Sequence, residues 1–279
     1  MSSSILVLLC SVTGYSILSI SQAGQKIGLH TIREHPRKGW AIWILSTIGT
    51  ALSFFLVLAA IGMGSVAVVG AMTGIGMASL TVFSRFVLRE RVGRREIAAV
   101  IAIAIGAGLV GVVPLDTTGS ARTEWLYWFV GAAIAVYGAA AVSVGRSHYR
   151  GVILGGLAGS MAAFSQLFQK LGAFSFAVDQ GLWALVVSVA TSRAIIISVV
   201  ITVVSMLVAQ VAYTRAQAIR VIPSYTAHAS AVPVIGGMIV FDERLQLLHW
   251  SGVAILFVGT MVLVLGLGRG NAEQESPAA

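Results

Sequence analysis

Charge is what this sequence has least of. Only 28 of its 279 residues are Lys, Arg, Asp or Glu, or 10%, while 57% are hydrophobic. A soluble domain carries roughly 25% charged residues. So few ionisable side chains could not cover a water-facing surface of this size. Soluble-enzyme and nucleic-acid-binding readings are therefore excluded, despite a pI near 10.3. One cysteine, Cys10, rules out an intramolecular disulfide framework. No Lys or Arg precedes the first apolar run and no small-residue cleavage site follows it, so the first helix is expected to be retained. Walker-type phosphate loops, metal-ligand clusters and Ser/His/Asp or Cys/His arrangements are missing too. The chain is not read as an enzyme or an ATP-driven pump, and neither cofactor nor metal is expected.

What is abundant is apolar length. Mean hydropathy is +0.93, and about 20 apolar residues suffice to cross a bilayer as a helix. Nine segments qualify: 4–28, 39–61, 65–88, 96–113, 125–145, 151–172, 194–218, 223–241 and 247–268. They show none of the alternation a membrane β-barrel needs. The expectation is an all-α integral membrane protein of about nine spans. The stretch 174–193 reads as a loop with a short interfacial helix anchored by Trp183, or else as a tenth span. The polar tail, 269–279, is expected to be disordered and cytoplasmic.

The basic excess is topological. With nine spans, the odd-numbered loops hold Lys26, Arg33, Arg37, Lys38, Arg85, Arg89, Arg91, Arg94, Arg95, Arg146, Arg150, Arg215 and Arg220. The even-numbered loops hold only Arg122, Lys170, Arg193 and Arg244. Cytoplasmic loops carry the Lys and Arg excess. The odd loops are thus assigned to the cytoplasm of a plasma (inner) membrane protein, with the N-terminus outside and the C-terminus inside.

The chain also repeats itself. Ser21-Gln22-Ala23-Gly24-Gln25-Lys26-Ile27-Gly28 closes the first span, and Ser165-Gln166-Leu167-Phe168-Gln169-Lys170-Leu171-Gly172 closes the sixth. The two share Ser, Gln, Gln, Lys and Gly in register, with Leu171 for Ile27. A second echo joins Val87-Leu88-Arg89-Glu90-Arg91-Val92 to Val240-Phe241-Asp242-Glu243-Arg244-Leu245. Residues 1–145 then form a unit of five spans and 146–268 a unit of four. An odd number of spans per unit inverts the second copy, and inverted repeats with a site between the halves characterise secondary transporters.

These echoes, each an apolar helix running into Glu-Arg and then a span punctuated by glycine (Gly106, Gly259), resemble the EamA repeat of the drug/metabolite transporter superfamily. The Gln25-Lys26-Ile27-Gly28-Leu29 segment is similar to the magnesium-transporting NIPA-type branch. The superfamily resemblance implies export or uptake of a small polar metabolite by rocking of the two halves.

Polar groups inside a membrane are costly and so are functional candidates by default. Tyr15, Ser19, Gln22 and Lys26 share one face of the first span, and Gln166 and Lys170 share one of the sixth, with Gln169 beside it. Gln210, Tyr213 and Gln217 follow in the seventh. The eighth opens with Pro223-Ser224-Tyr225-Thr226-Ala227-His228, where Pro223 suits a first turn and Pro233 would kink the helix. Expected substrate-binding residues are Gln22, Gln166, Gln169, Gln210, Tyr213, Gln217, Tyr225 and His228. His228 serves as a proton-linked group or as a structural hydrogen-bonded histidine. Lys26, Lys170 and Arg215 either sit at helix ends for topology and snorkelling or act in gating and charge pairing.

All ten acids lie in or beside loops, so no span carries a carboxylate at its centre. This counts against a bare Mg²⁺ path, since Mg²⁺ is held by carboxylates and retained waters, and against proton exchange through a buried acid. A neutral, zwitterionic or anionic metabolite fits the amide, tyrosine and basic inventory. The expected partners are that small molecule, with the coupling ion left open, and the bilayer. Nucleic acid is not among them, and monomer and homodimer both stay open. The alternatives are a NIPA-like Mg²⁺ transporter and a non-transporting membrane subunit or scaffold.

Overall fold

The computed structural model describes residues 3–32, 34–86, 93–112, 121–143, 149–173, 191–215 and 218–274. Every element among them is a helix: α1 (Ser3–Ile32), α2 (Pro36–Met63), α3 (Val66–Ala71), α4 (Thr73–Phe86), α5 (Arg94–Val112), α6 (Thr123–Ser143), α7 (Tyr149–Ala173), α8 (Arg193–Arg215), α9 (Ala218–Phe241) and α10 (Leu247–Gln274). Six stretches are long and apolar enough to cross a membrane: Ile5–Gln25, Pro36–Met63, Val66–Phe83, Arg150–Ala173, Arg193–Ala212 and Ser224–Phe241. Leu247–Val262 is a shorter apolar helix. The third stretch joins α3 to α4 through Met72, which keeps helical angles (φ −72°, ψ −1°). The candidate interfacial segment at 174–190 lies outside the described residues.

Local chemistry sets the helix ends. Pro36 starts α2, where its missing N–H costs nothing. Glu96 and Glu124 sit in the first turns of α5 and α6, against the positive end of the helix dipole. Two boundaries differ from expectation. Helix α9 begins at Ala218, so Pro223 falls inside it rather than in its first turn. Helix α10 runs on through Gln274, so residues 269–274 are helical where a disordered tail was expected. Ala272, Glu273 and Gln274 are good helix formers and Pro277 lies beyond them.

Packing is that of a membrane bundle. Helix α1 packs on α2 and α4, α7 on α8 and α9, α3 on α9, and α5 on α10. The α5–α10 contact depends on glycine at its closest point. A Cβ on Gly106 would lie 2.9 Å from the Gly252 carbonyl oxygen, and one on Gly252 would lie 2.9 Å from the Gly106 oxygen. A buried core of Ile61, Met72, Ile103, Phe164, Leu167, Phe241 and Leu256 runs through the centre. The outer faces are apolar as well: Leu45 on α2 is 72% exposed, Trp128 on α6 77% and Met206 on α8 63%. Large side chains this exposed suit a hydrocarbon surround. The chain is a helical membrane protein.

One end of the bundle gathers the start of α1 with the connections after α2, before α6, after α7 and after α9. A Cβ on Gly64 would meet Val7, and one on Gly62 would meet Ala173. The Arg122 N–H donates to the Val240 carbonyl at 2.8 Å.

Candidate functional site

The chain breaks between α2 and α3. Gly64 is extended (φ −134°, ψ −164°), and Ser65 follows as the N-cap of α3, its hydroxyl accepting from the Val68 N–H at 3.2 Å. A break inside a membrane protein leaves carbonyls at one helix end and N–H groups at the next without intrahelical partners. Here two buried ions take both sets. The Lys170 ammonium, carried on α7, donates to the Ile61 carbonyl at 2.9 Å and to the Gly64 carbonyl. The Glu243 carboxylate accepts from the Ser65 hydroxyl at 2.6 Å, the Val66 N–H at 2.9 Å and the Ala67 N–H at 3.0 Å. Both side chains are only 4% exposed. The cation thus sits at the negative end of α2 and the anion at the positive end of α3. Glu243 is also near enough for its charge to act on Lys170.

The turn after α9 delivers Glu243. Asp242 takes a left-handed conformation (φ 52°), and the Glu243 N–H returns to the Gly237 carbonyl at 3.2 Å. Gly237 is required there, because a Cβ would collide with the Glu243 carboxylate and with Ala67. Asp242 faces Arg122 at 3.9 Å with both side chains about half exposed, a pair that contributes about 0–1 kcal/mol. The buried ions differ in kind: removing one partner of such a pair costs about 3–5 kcal/mol.

A second, uncharged group of polar side chains lies deeper. Tyr15 and Ser230 sit near the midpoints of α1 and α9. The Tyr15 hydroxyl neighbours Thr73 and Tyr225, and the Thr73 hydroxyl donates to the Gly70 carbonyl at 2.7 Å. A Cβ on Gly70 would lie 3.1 Å from Gln166 Oε1 and would collide with Pro233. Ser230 is one turn before Pro233 on the same face. Among the described residues, four buried side-chain atoms have no hydrogen-bond partner: Tyr15 Oη, Gln166 Oε1, Gln169 Oε1 and Ser230 Oγ. The Gln169 amide N–H donates to Ser165 at 3.3 Å, and Ser165 meets Thr202 of α8 at 2.7 Å.

The residues singled out from sequence fall into four sets: buried, half-buried, exposed, and outside the described residues. Gln166, Gln169 and Lys170 are buried on α7, and Lys170 does not snorkel. Tyr225 is half-buried beside Tyr15, with its carbonyl against Gly159. His228 is half-buried, and its Nδ1 lies 2.7 Å from the Ser224 carbonyl. Against a carbonyl that nitrogen must carry the hydrogen. The Tyr137 ring stacks edge-on to His228 at 5.7 Å, an arrangement that holds the imidazole within α9 packing. Gln210 is exposed on α8, between the exposed Leu207 and Val211 and apart from the buried groups. The side chains of Gln22, Lys26, Tyr213 and Arg215, and the whole of Gln217, lie outside the described residues. Sequence reasoning passed over Glu243, Ser65 and Ser230. A signal for Glu243 existed: its Glu-Arg dipeptide recurs at Glu90-Arg91.

Fold and site together define a polytopic helical membrane protein whose interior holds two buried, oppositely charged side chains, each hydrogen-bonded to a helix end, and a set of uncharged polar groups. Compared with known proteins, the chain matches no family model, no curated protein and no solved structure.

Proposed function

We propose that this protein is a secondary transporter that moves a small polar metabolite across the plasma membrane by alternating access between two inverted halves, 1–145 and 146–268. It would be of the drug/metabolite, EamA-like kind, with the N-terminus outside and the C-terminus in the cytoplasm. The observation that carries the reading is the buried Lys170 and Glu243, contributed by the second half and hydrogen-bonded to the turn between two spans of the first. Ionisable groups buried within a membrane protein are expensive and are functional candidates by default.

Two further observations support it. The pairings α1 with α2 and α4 are repeated by α7 with α8 and α9, while α5 pairs with α10. That is the pattern of two like units related by a two-fold axis, with α6 unmatched. The gathering of Val7, Gly62, Arg122, Ala173 and Glu243 at one end is what nine crossings require, since all even loops must then share a side.

The test is a transport assay that needs no prior substrate. Protein reconstituted into liposomes loaded with a small-molecule cell extract is incubated, and the retained pool is read by mass spectrometry. Selective, saturable depletion of one solute or a few related ones is expected. Depletion of nothing, or of all small solutes alike, overturns the reading; selective Mg²⁺ release in its place would favour the magnesium alternative.

A further inference from the structure

We propose that the uncharged polar groups where α1, the α3–α4 span, α7 and α9 meet bind a neutral solute bearing several hydroxyl groups, a polyol or sugar. That this solute is the one transported rests on the transporter reading above; the binding does not.

The first argument is the unpartnered atoms. Tyr15 is 4% exposed, Gln166 9% and Ser230 6%, yet among the described residues Gln166 Oε1 and Ser230 Oγ meet no hydrogen-bond partner, and Tyr15 Oη has only the neighbouring Thr73 hydroxyl, outside good hydrogen-bond geometry. Leaving each buried polar atom unpaired costs about 1–3 kcal/mol. Two of these atoms lie beside one short stretch of the α3–α4 span, Gly70 to Thr73, and Ser230 is one turn before Pro233, which meets the same stretch. Gln166 and Pro233 approach it at Gly70, and Tyr15 approaches it at Thr73. A ligand that bonds to them recovers what the fold forgoes.

The second argument is charge. None of these groups is ionised at neutral pH, and Lys170, one turn along α7 from Gln166, is already committed to two carbonyls. Glu243 is committed to one hydroxyl and two N–H groups. An anion or cation placed among Tyr15, Gln166 and Ser230 would be buried without a counter-charge, which is costly. The third is donor chemistry. A hydroxyl both donates and accepts through one oxygen, so it satisfies Tyr15, Ser230 and the Gln166 amide whichever way that amide is turned. Tyr225 is near enough to act on the Tyr15 hydroxyl, and aromatic side chains commonly line small-molecule sites.

Thermal unfolding of the purified protein in detergent tests this directly, with myo-inositol and xylitol as neutral probes against glycine, putrescine and succinate. A ligand of the folded state raises apparent stability with concentration. The two polyols are expected to do so and the three charged probes not. Gln166→Leu and Ser230→Ala should each weaken polyol binding about 2- to 12-fold, the worth of one neutral hydrogen bond. Ser230→Ala is the milder change and keeps the test valid where Gln166→Leu does not fold. Thr47→Val, at an exposed site on α2, should leave binding unchanged. Stabilisation by charged probes alone, or by none of the five, overturns the proposal; in the latter case the orphan atoms hold only water. Polyol binding without polyol counterflow in liposomes would leave the site standing and sink the transport reading. Counterflow of succinate or putrescine without polyol binding would do the reverse.

Discussion

At the scale of single residues, two buried ions satisfy the helix ends at the turn where α2 gives way to α3. Glu243→Gln keeps the shape but removes the charge facing Lys170 and weakens three hydrogen bonds. A loss of about 3–5 kcal/mol is expected in reversible unfolding from mixed micelles. Lys170→Met should cost a similar amount because the Ile61 and Gly64 carbonyls lose their donor. The double variant should lose less than the two singles summed, by about 0.5–3 kcal/mol of coupling. Strict additivity would mean the two ions act independently. Ser65→Ala removes both a helix cap and a donor to a carboxylate, and about 1–3 kcal/mol is expected from that substitution. The sequence alone could not reveal this arrangement. Lys170 lies near a helix end, where its stem could equally have reached the membrane surface, and Glu243 lies in a loop that could equally have been solvated. Their burial depends on a break 106 or more residues away in the chain.

At the scale of elements, α5 and α10 pack closely because Gly106 and Gly252 let their backbones meet. Gly252→Ala places a methyl 2.6 Å from a Val110 methyl as well as 2.9 Å from the Gly106 oxygen. The helices must separate, at a cost of about 1–3 kcal/mol. A Cβ on Gly108, on α5 two residues beyond Gly106, would meet nothing within 4 Å, so Gly108→Ala should be neutral or slightly stabilising. Equal effects of the two substitutions in the same unfolding assay would contradict this packing. Apolar runs made the helices legible, because few other structures satisfy backbone groups in hydrocarbon. The helical face shared by Gln166 and Lys170 was legible from spacing. The interruption between α2 and α3 was legible too, since the apolar runs 39–61 and 65–88 part at Gly62 to Gly64, whereas the start of α9 ahead of Pro223 was not, because an interior proline usually argues for a boundary.

At the scale of the whole molecule, the two sequence echoes align Lys26 and Glu90 with Lys170 and Glu243. If the halves are inverted, the two lysine–glutamate sets serve opposite faces of the membrane. Lys26→Met is then expected to bias the protein toward opening at the odd-loop end, and Lys170→Met toward opening at the even-loop end. Distances between spin labels in lipid nanodiscs test this without knowledge of the substrate. On a Cys10→Ser background, one pair replaces Gly62 and Arg244 at the even-loop end. Another replaces Lys38 and Arg150 toward the odd-loop end. Glu243→Gln should lengthen the first distance and shorten the second. Distances that stay fixed, or that lengthen at both ends together, would contradict alternating access as the working principle of this protein.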